Sequence, residues 1–199
     1  MDKIASGFIR NSASIGGNLV MAQRNYFPSD IATLLLALSS SVSILTGRKF
    51  EKITLEQFFS TPPLDSKSVL LSVHIPYWEP IESSGTNEYN HRLLFETYRV
   101  VPLPICNALP YLNATFSTKI SSHKDGVLVN SIQLVFGAYG VKHSTSARKV
   151  EEHLTGKILS LDILAESNQI KLQKARMIVI SIKFKADIAV LRKTGCGIK

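Results

Sequence analysis

Cysteine is nearly missing from this sequence: Cys106 and Cys196 are the two in 199 residues, and they stand far apart. Iron–sulfur clusters and cysteine-based zinc sites draw on a full set of clustered thiolates, so the spacing argues against both. Cys106 sits among apolar residues and reads as a small core hydrophobe. The five histidines (His74, His91, His123, His143 and His153) are scattered without ligand spacing and are read as structural or surface groups. No metal ligand and no catalytic residue is therefore assigned.

Long apolar runs are also lacking. The longest, 31–38 and 177–182, fall well short of the ~20 residues that a membrane-spanning helix needs. The first residues, Met-Asp-Lys-Ile-Ala-Ser-Gly, contain no apolar stretch of the secretory kind, so a cytoplasmic protein without a membrane partner is expected. Acidic charge is scarce at one end only. Residues 171–199 hold eight Lys or Arg and a single acid, Asp187, so this segment carries +7 of the net +8. The remainder is nearly neutral and has no basic surface to follow a phosphate backbone, and the basic segment lacks interleaved aromatics. The balance argues against nucleic acid as partner.

What is present is globular: 45% hydrophobic and 19% charged residues. Gly, Ser and Asn crowd 6–18, which reads as a loop. Ser29 or Asp30 then caps a helix over 31–38 that is apolar nearly all round and hence buried. Residues 41–45 alternate as a strand, 53–59 form a short amphipathic segment stopped by Pro62 and Pro63, and 69–75 form another strand. The polar, breaker-rich stretch 78–91 marks a linker. Beyond it, 93–100, 107–120 and 126–139 read as strands, the last two joined through 121–126. Ser144 or Ser146 is expected to cap a helix over 147–154 ended by Gly156, with a second helix over 161–172 and a short β-prone run at 177–182. The class is α+β.

Chemistry concentrates in the run Ile-Arg-Asn-Ser-Ala-Ser-Ile-Gly-Gly-Asn-Leu-Val (9–20) and in Pro-Ser-Asp-Ile-Ala (28–32). Small residues let a backbone approach a ligand, and consecutive free amides can cradle a phosphate. Ser14 and Asn18 add a hydroxyl and a carboxamide, while Asp30 can accept from a ribityl or ribose hydroxyl but does not suit direct phosphate contact. By chemistry alone, a Gly-Gly loop ahead of a helix is open to two readings, a plain turn or a cofactor loop.

The same run resembles the flavin-domain signature of the xanthine dehydrogenase/aldehyde oxidase family of molybdo-flavoenzymes. The resemblance continues through Val-Leu-Leu-Ser-Val-His-Ile-Pro (69–76), Phe-Glu-Thr-Tyr-Arg (95–99), Asn-Ala-Leu-Pro-Tyr-Leu-Asn-Ala (107–114) and Leu-Val-Phe-Gly-Ala-Tyr-Gly (134–140). Lys-Val-Glu-Glu-His-Leu-Thr-Gly-Lys (149–157) and Leu-Asp-Ile-Leu-Ala-Glu-Ser (161–167) close it. The 95–99 and 107–111 elements look more like plant aldehyde oxidases than animal xanthine dehydrogenases.

The resemblance implies the C-terminal part of a para-cresol methylhydroxylase-type FAD-binding domain over 1–77. It implies a linker over 78–91, then an antiparallel sheet with helices like the C-terminal part of carbon monoxide dehydrogenase flavoproteins over 92–170, with 171–199 as a divergent basic tail. It implies FAD as cofactor, with Ile4, Ala5, Ser14, Gly17, Asn18, Asp30 and Leu70 lining it, and Glu96 where animal members place a flavin-contacting lysine. Full-length relatives also carry 2Fe-2S clusters and molybdopterin, oxidise aldehydes to carboxylic acids, pass the electrons through the clusters to FAD and then to oxygen, and form homodimers. The clusters and the molybdenum centre lie on domains this sequence lacks, so an isolated chain is expected to bind flavin without oxidising aldehyde. The competing expectation is a truncated remnant or interaction module with half a flavin site.

Overall fold

The computed structural model describes residues 7–27, 29–77, 91–100, 110, 112–123, 126–138, 141–159 and 163. The element order is α1 (Gly7–Ser12), α2 (Ile15–Asn25), α3 (Asp30–Ala37), β1 (Ser41–Thr46), β2 (Lys49–Thr54), α4 (Leu55–Ser60), β3 (Ser68–His74), β4 (His91–Val100), β5 (Leu112–His123), β6 (Gly126–Ala138), β7 (Thr145–Ser146) and α5 (Arg148–Leu154). The α+β class stands. The predicted helix over 161–172, apart from residue 163, lies outside the described residues, as do Cys106 and the 171–199 segment.

The 6–18 stretch is mostly helical, not the loop that its composition suggests. Ser14 is extended (φ −111°, ψ 152°) and its Oγ accepts from the Gly17 backbone N–H at 3.0 Å, capping α2. That cap starts the helix despite two glycines in its first turn, and burial of Leu19, Ala22 and Gln23 on one face holds it. Composition alone hid a helix whose stability is tertiary.

α3 begins where the sequence predicts. Ser29 is its cap, its Oγ accepting from Ala32 N–H at 3.1 Å, and Asp30 opens the first turn, where a carboxylate complements the helix dipole. The 53–59 segment divides: Ile53 and Thr54 finish β2, and a capping box between Thr54 and Gln57 starts α4. β1 is the middle strand of a sheet ordered β2-β1-β3, antiparallel to both neighbours, with Val42 opposite Ile53 on one side and Val73 on the other. The register slips between Ser43 and Ile44, which leaves Leu71 as the extra residue of a bulge on β3.

The chain divides into two compact units that interleave in sequence. One comprises Met1–Trp78, Glu96–Thr115 and Gln133–Ala147. Its core joins Leu19 and Ala22 of α2, Leu35, Leu36 and Ala37 of α3, Val42 and Ile44 of β1, Leu55, Phe58 and Phe59 of α4, and Val135 of β6. Gln23 is a buried polar residue on α2: its Nε2 donates to the Phe58 carbonyl at 2.7 Å and its Oε1 accepts from Leu64 N–H at 3.2 Å. Both ends of the carboxamide are thus satisfied, as burial requires.

The other unit comprises Glu79–Phe95, Phe116–Ile132 and Arg148–Lys199. In it Val150 and Leu154 of α5 are fully buried, as is Val129 of β6. Gly156 (φ +78°) ends α5 and donates its N–H to the Val129 carbonyl at 2.7 Å, and Leu159 N–H donates to the Val127 carbonyl at 2.9 Å.

β4, β5, β6 and β7 form the second sheet in that order. The first hairpin strand runs further than expected, β5 reaching His123, while β6 starts at Gly126 as expected. Ser144 and Ser146 do not cap α5. Ser146 pairs with Val135 in β7, and the hydroxyl of Ser144 faces Thr33 instead. Edge pairing and a partner on α3 win over a local cap.

Phe58 is fully enclosed, so Phe58→Ala leaves a cavity among Leu19, Val42 and their neighbours. We expect a loss of about 3–5 kcal/mol, read as a lower midpoint in urea unfolding. A loss below ~1 kcal/mol contradicts this core.

Candidate functional site

The first turn of α3 gathers side chains from several elements of its unit. Ser29 Oγ donates to Asn18 Oδ1 of α2 at 2.5 Å while accepting from Ala32 N–H. Thr33 Oγ1 donates to the Ser29 carbonyl at 2.9 Å and lies 2.6 Å from Ser144 Oγ. Asp30 uses both carboxylate oxygens: Arg99 Nε of β4 donates to Oδ2 at 2.8 Å and Asn113 Nδ2 of β5 donates to Oδ1 at 2.9 Å. The Asp30 and Arg99 side chains are 16% and 24% exposed, so the ion pair is largely shielded from water.

Asn113 owes its position to a glycine. A Cβ on Gly137 of β6 would overlap Asn113 Oδ1 and stand 2.8 Å from Ser144 Oγ, so only glycine allows the carboxamide to lie across the strand. Beside this cluster is a cavity of about 330 Å³ lined by Asp30, Leu34, Thr97, Tyr98, Arg99, Asn113, Ala114 and Thr115. That volume is at the lower end of the roughly 300–1,000 Å³ of small-molecule sites, enough for part of a dinucleotide and not for all of it. Its lining combines a guanidinium, a carboxamide and hydroxyls with apolar Leu34 and Ala114.

The sequence-predicted residues fall into two groups. Ser14, Gly17 and Asn18 lie along the start of α2, with Leu70 of β3 beside them; a Cβ on Gly16 would be 3.6 Å from Leu70 Cδ2. Ser14 and Gly17 are exposed, whereas Asn18 is half-buried and bonded to Ser29. Asp30 lines the cavity, its carboxylate held by Arg99 and Asn113. Ile4 and Ala5 lie outside the described residues. Glu96 is half-buried on β4. Among the described residues no group of His, Cys, Asp and Glu forms a metal site, and no helix is long and apolar enough to cross a membrane.

Sequence reasoning did not assign roles to Arg99, Asn113 or Gly137, although each lies in a quoted segment. A glycine inside a strand signals close approach of another group. No sequence rule names the partner that approaches.

Next to Ser144, His143 stacks on Phe59 (centroids 5.1 Å apart, 26° between planes) and tilts against Tyr26 at 5.2 Å. Burial among these rings pushes its imidazole below the usual histidine range, and Lys142 acts in the same direction. Protonation is therefore harder in the folded state than in the unfolded one. The stabilising contribution is complete above the ordinary value of 6.5 and is lost as pH falls through the lower folded value. We expect unfolding midpoints to drop between about pH 7 and pH 5 and His143→Phe to remove part of that drop. An identical pH dependence in the variant rejects the assignment.

Several known proteins are similar to this chain in sequence, and others in fold. Residues 1–78 match the family described as the FAD binding domain in molybdopterin dehydrogenase. The chain is 52% identical over 168 residues to an indole-3-acetaldehyde oxidase of Arabidopsis thaliana, a match covering 84% of this chain and 12% of that protein. With abscisic-aldehyde oxidase of the same plant it is 52% identical over 171 residues, covering 84% and 12%. With aldehyde oxidase 4 of Arabidopsis thaliana it is 49% identical over 198 residues, covering 96% and 14%, and so reaching into the basic 171–199 segment. The chain therefore spans 12% to 14% of the length of these relatives. Among solved structures, quinoline 2-oxidoreductase from Pseudomonas putida 86 superposes with a TM-score of 0.65 at 16% identity, over 92% of this chain and 64% of the other. Carbon monoxide dehydrogenase from Hydrogenophaga pseudoflava does so with 0.61 at 16% identity, over 82% and 50%. At such identity these two show a shared fold.

Proposed function

Because this chain belongs to the xanthine dehydrogenase/aldehyde oxidase family and corresponds to part of its FAD-binding region, we propose that it is the FAD-holding, electron-transferring part of an aldehyde oxidase-like molybdo-flavoenzyme. The single observation that carries this reading is the cavity beside the first turn of α3, lined by the Asp30–Arg99 pair and Asn113. The donor set fits a flavin cofactor. Arg99 and Asn113 can donate to carbonyl or hydroxyl oxygens, Leu34 and Ala114 offer apolar contact, and Gly137 removes the Cβ that would displace Asn113.

On this reading the start of α2, with Ser14, Gly17 and Asn18, lines the phosphate and ribityl region, and Leu70 stands nearer the ring. FAD, when bound, supplies redox chemistry that links iron–sulfur clusters elsewhere in the full-length enzyme to oxygen, with aldehyde oxidised to carboxylic acid at the molybdenum centre. The residues of this chain hold and orient the cofactor and shield it from water; none of them performs the oxidation.

The same reading places residues 1–77 in the C-terminal part of a para-cresol methylhydroxylase-type FAD-binding domain and 92–170 in a carbon monoxide dehydrogenase flavoprotein-like sheet with helices, and the fold shared with two oxidoreductases supports it. A cytoplasmic homodimer is its natural setting, by analogy with the family.

The test is purification followed by a visible absorption spectrum and titration with FAD. We expect a flavin spectrum or saturable binding, weakened in Asn18→Ala and Asp30→Ala by at least tenfold, about 1.4 kcal/mol. Absence of binding at high micromolar FAD rejects the proposal.

A further inference from the structure

The short segment 141–147 follows β6 and brings the chain back to that strand's edge. β7 pairs with β6 at two positions, Ser146 opposite Val135 and Thr145 opposite Phe136. Ala147 N–H donates to the Leu134 carbonyl at 2.8 Å, and Ser144 Oγ lies 2.6 Å from Thr33 Oγ1 on α3. Val141, Lys142 and Thr145 are exposed. A further hold is His143, stacked on Phe59 of α4 and tilted against Tyr26 at the end of α2. We infer that His143 is a proton-operated clasp: the neutral imidazole fastens 141–147 against α2 and α4, and protonation releases this segment while the core stays folded.

The hydrogen-bonding of the ring carries the inference. His143 Nδ1 is sealed from solvent and has no hydrogen-bond partner among the described residues. In the neutral ring Nδ1 can be the bare nitrogen, with Nε2 carrying the hydrogen. Imidazolium carries a hydrogen on both nitrogens, so protonation sets a charged N–H where no acceptor meets it.

The neighbours do little to offset that cost. α2 presents Tyr26, the titratable group facing the ring from that helix, and α4 presents Phe59, which does not titrate. α3 presents Thr33 to the adjoining Ser144. Lys142 is the charged group acting on the imidazole, and it opposes the charged form. Its Nζ lies 5.4 Å from the Tyr26 ring centroid, so the tyrosine ring already faces a cation. Attraction to the face of Phe59 is left, and it is weaker than the cost of an enclosed charge without a hydrogen-bond partner. Tyr26 makes these contacts from a left-handed backbone (φ 53°), uncommon for an aromatic residue, and its N–H is tied to the Ala22 carbonyl at 3.1 Å.

The sense of the switch follows. Above the ordinary histidine value of 6.5 the clasp is closed. Below it, a released His143 takes up a proton that the docked ring resists, so opening grows by about tenfold per pH unit until the lower folded value is reached. The inference goes beyond the flavin reading and requires no bound cofactor.

The experiment is amide hydrogen exchange followed by mass spectrometry on the full 199-residue chain, at about pH 7.5 and about pH 5.5, with each rate corrected for the intrinsic effect of pH. We expect peptides covering 141–147 to lose protection by about tenfold at the lower pH, while peptides from β1 lose less. His143→Phe, which keeps a ring and cannot titrate, holds the segment equally at both values. His143→Gln, which has neither ring nor titration, leaves the segment less protected at both values and equally so. Ser144→Ala lowers protection at both values and keeps the pH response.

A pH response that persists in His143→Phe or in His143→Gln overturns the inference. So does an unaltered chain whose 141–147 segment shows no response, or responds no more than β1, since a uniform loss belongs to global unfolding and not to a local clasp.

Discussion

The first turn of α3 is where one compact unit of this protein is tied together. Ser29 satisfies a free helix amide and in the same stroke takes hold of Asn18 on α2. Asp30 then draws in β4 through Arg99 and β5 through Asn113, and Thr33 engages Ser144. Helix termini leave amides without partners, so a cap is needed there in any fold. Here the polar residues around the cap also serve as anchor points for strands far away in sequence. Disturbing this turn therefore reaches the wall of the cavity.

That arrangement has an electrostatic logic. A carboxylate at the start of a helix is favoured by the dipole, and a guanidinium and a carboxamide satisfy it from outside the helix. The pair is shielded without being fully buried, at 16% and 24% exposure, so it avoids much of the desolvation cost of a deeply buried ion pair. Gly137 supplies the missing volume that lets Asn113 take part. The cavity beside the pair is lined by all three of these residues, Asp30, Arg99 and Asn113.

Much of the local structure was legible in the sequence. The Ser29 cap and the apolar run behind it announced α3, and the alternation of 41–45 and the strand reading of 69–75 announced β1 and β3. The helix through Gly16 and Gly17 was not, because glycine and serine argue for a loop when read locally, and burial of Leu19, Ala22 and Gln23 outweighs that tendency. Ser144 misled in the opposite sense: it is a good cap by type, but its hydroxyl finds Thr33 first.

By itself the sequence determined the family and the class of cofactor, since motif order and residue type are local properties. Only the tertiary structure decided which side chains hold Asp30. Its partners Arg99 and Asn113 lie 69 and 83 residues away, and no periodicity or spacing encodes which distant donor reaches which oxygen. Pairing of that kind depends on strand register and on the space left at Gly137, which exist once the chain has packed.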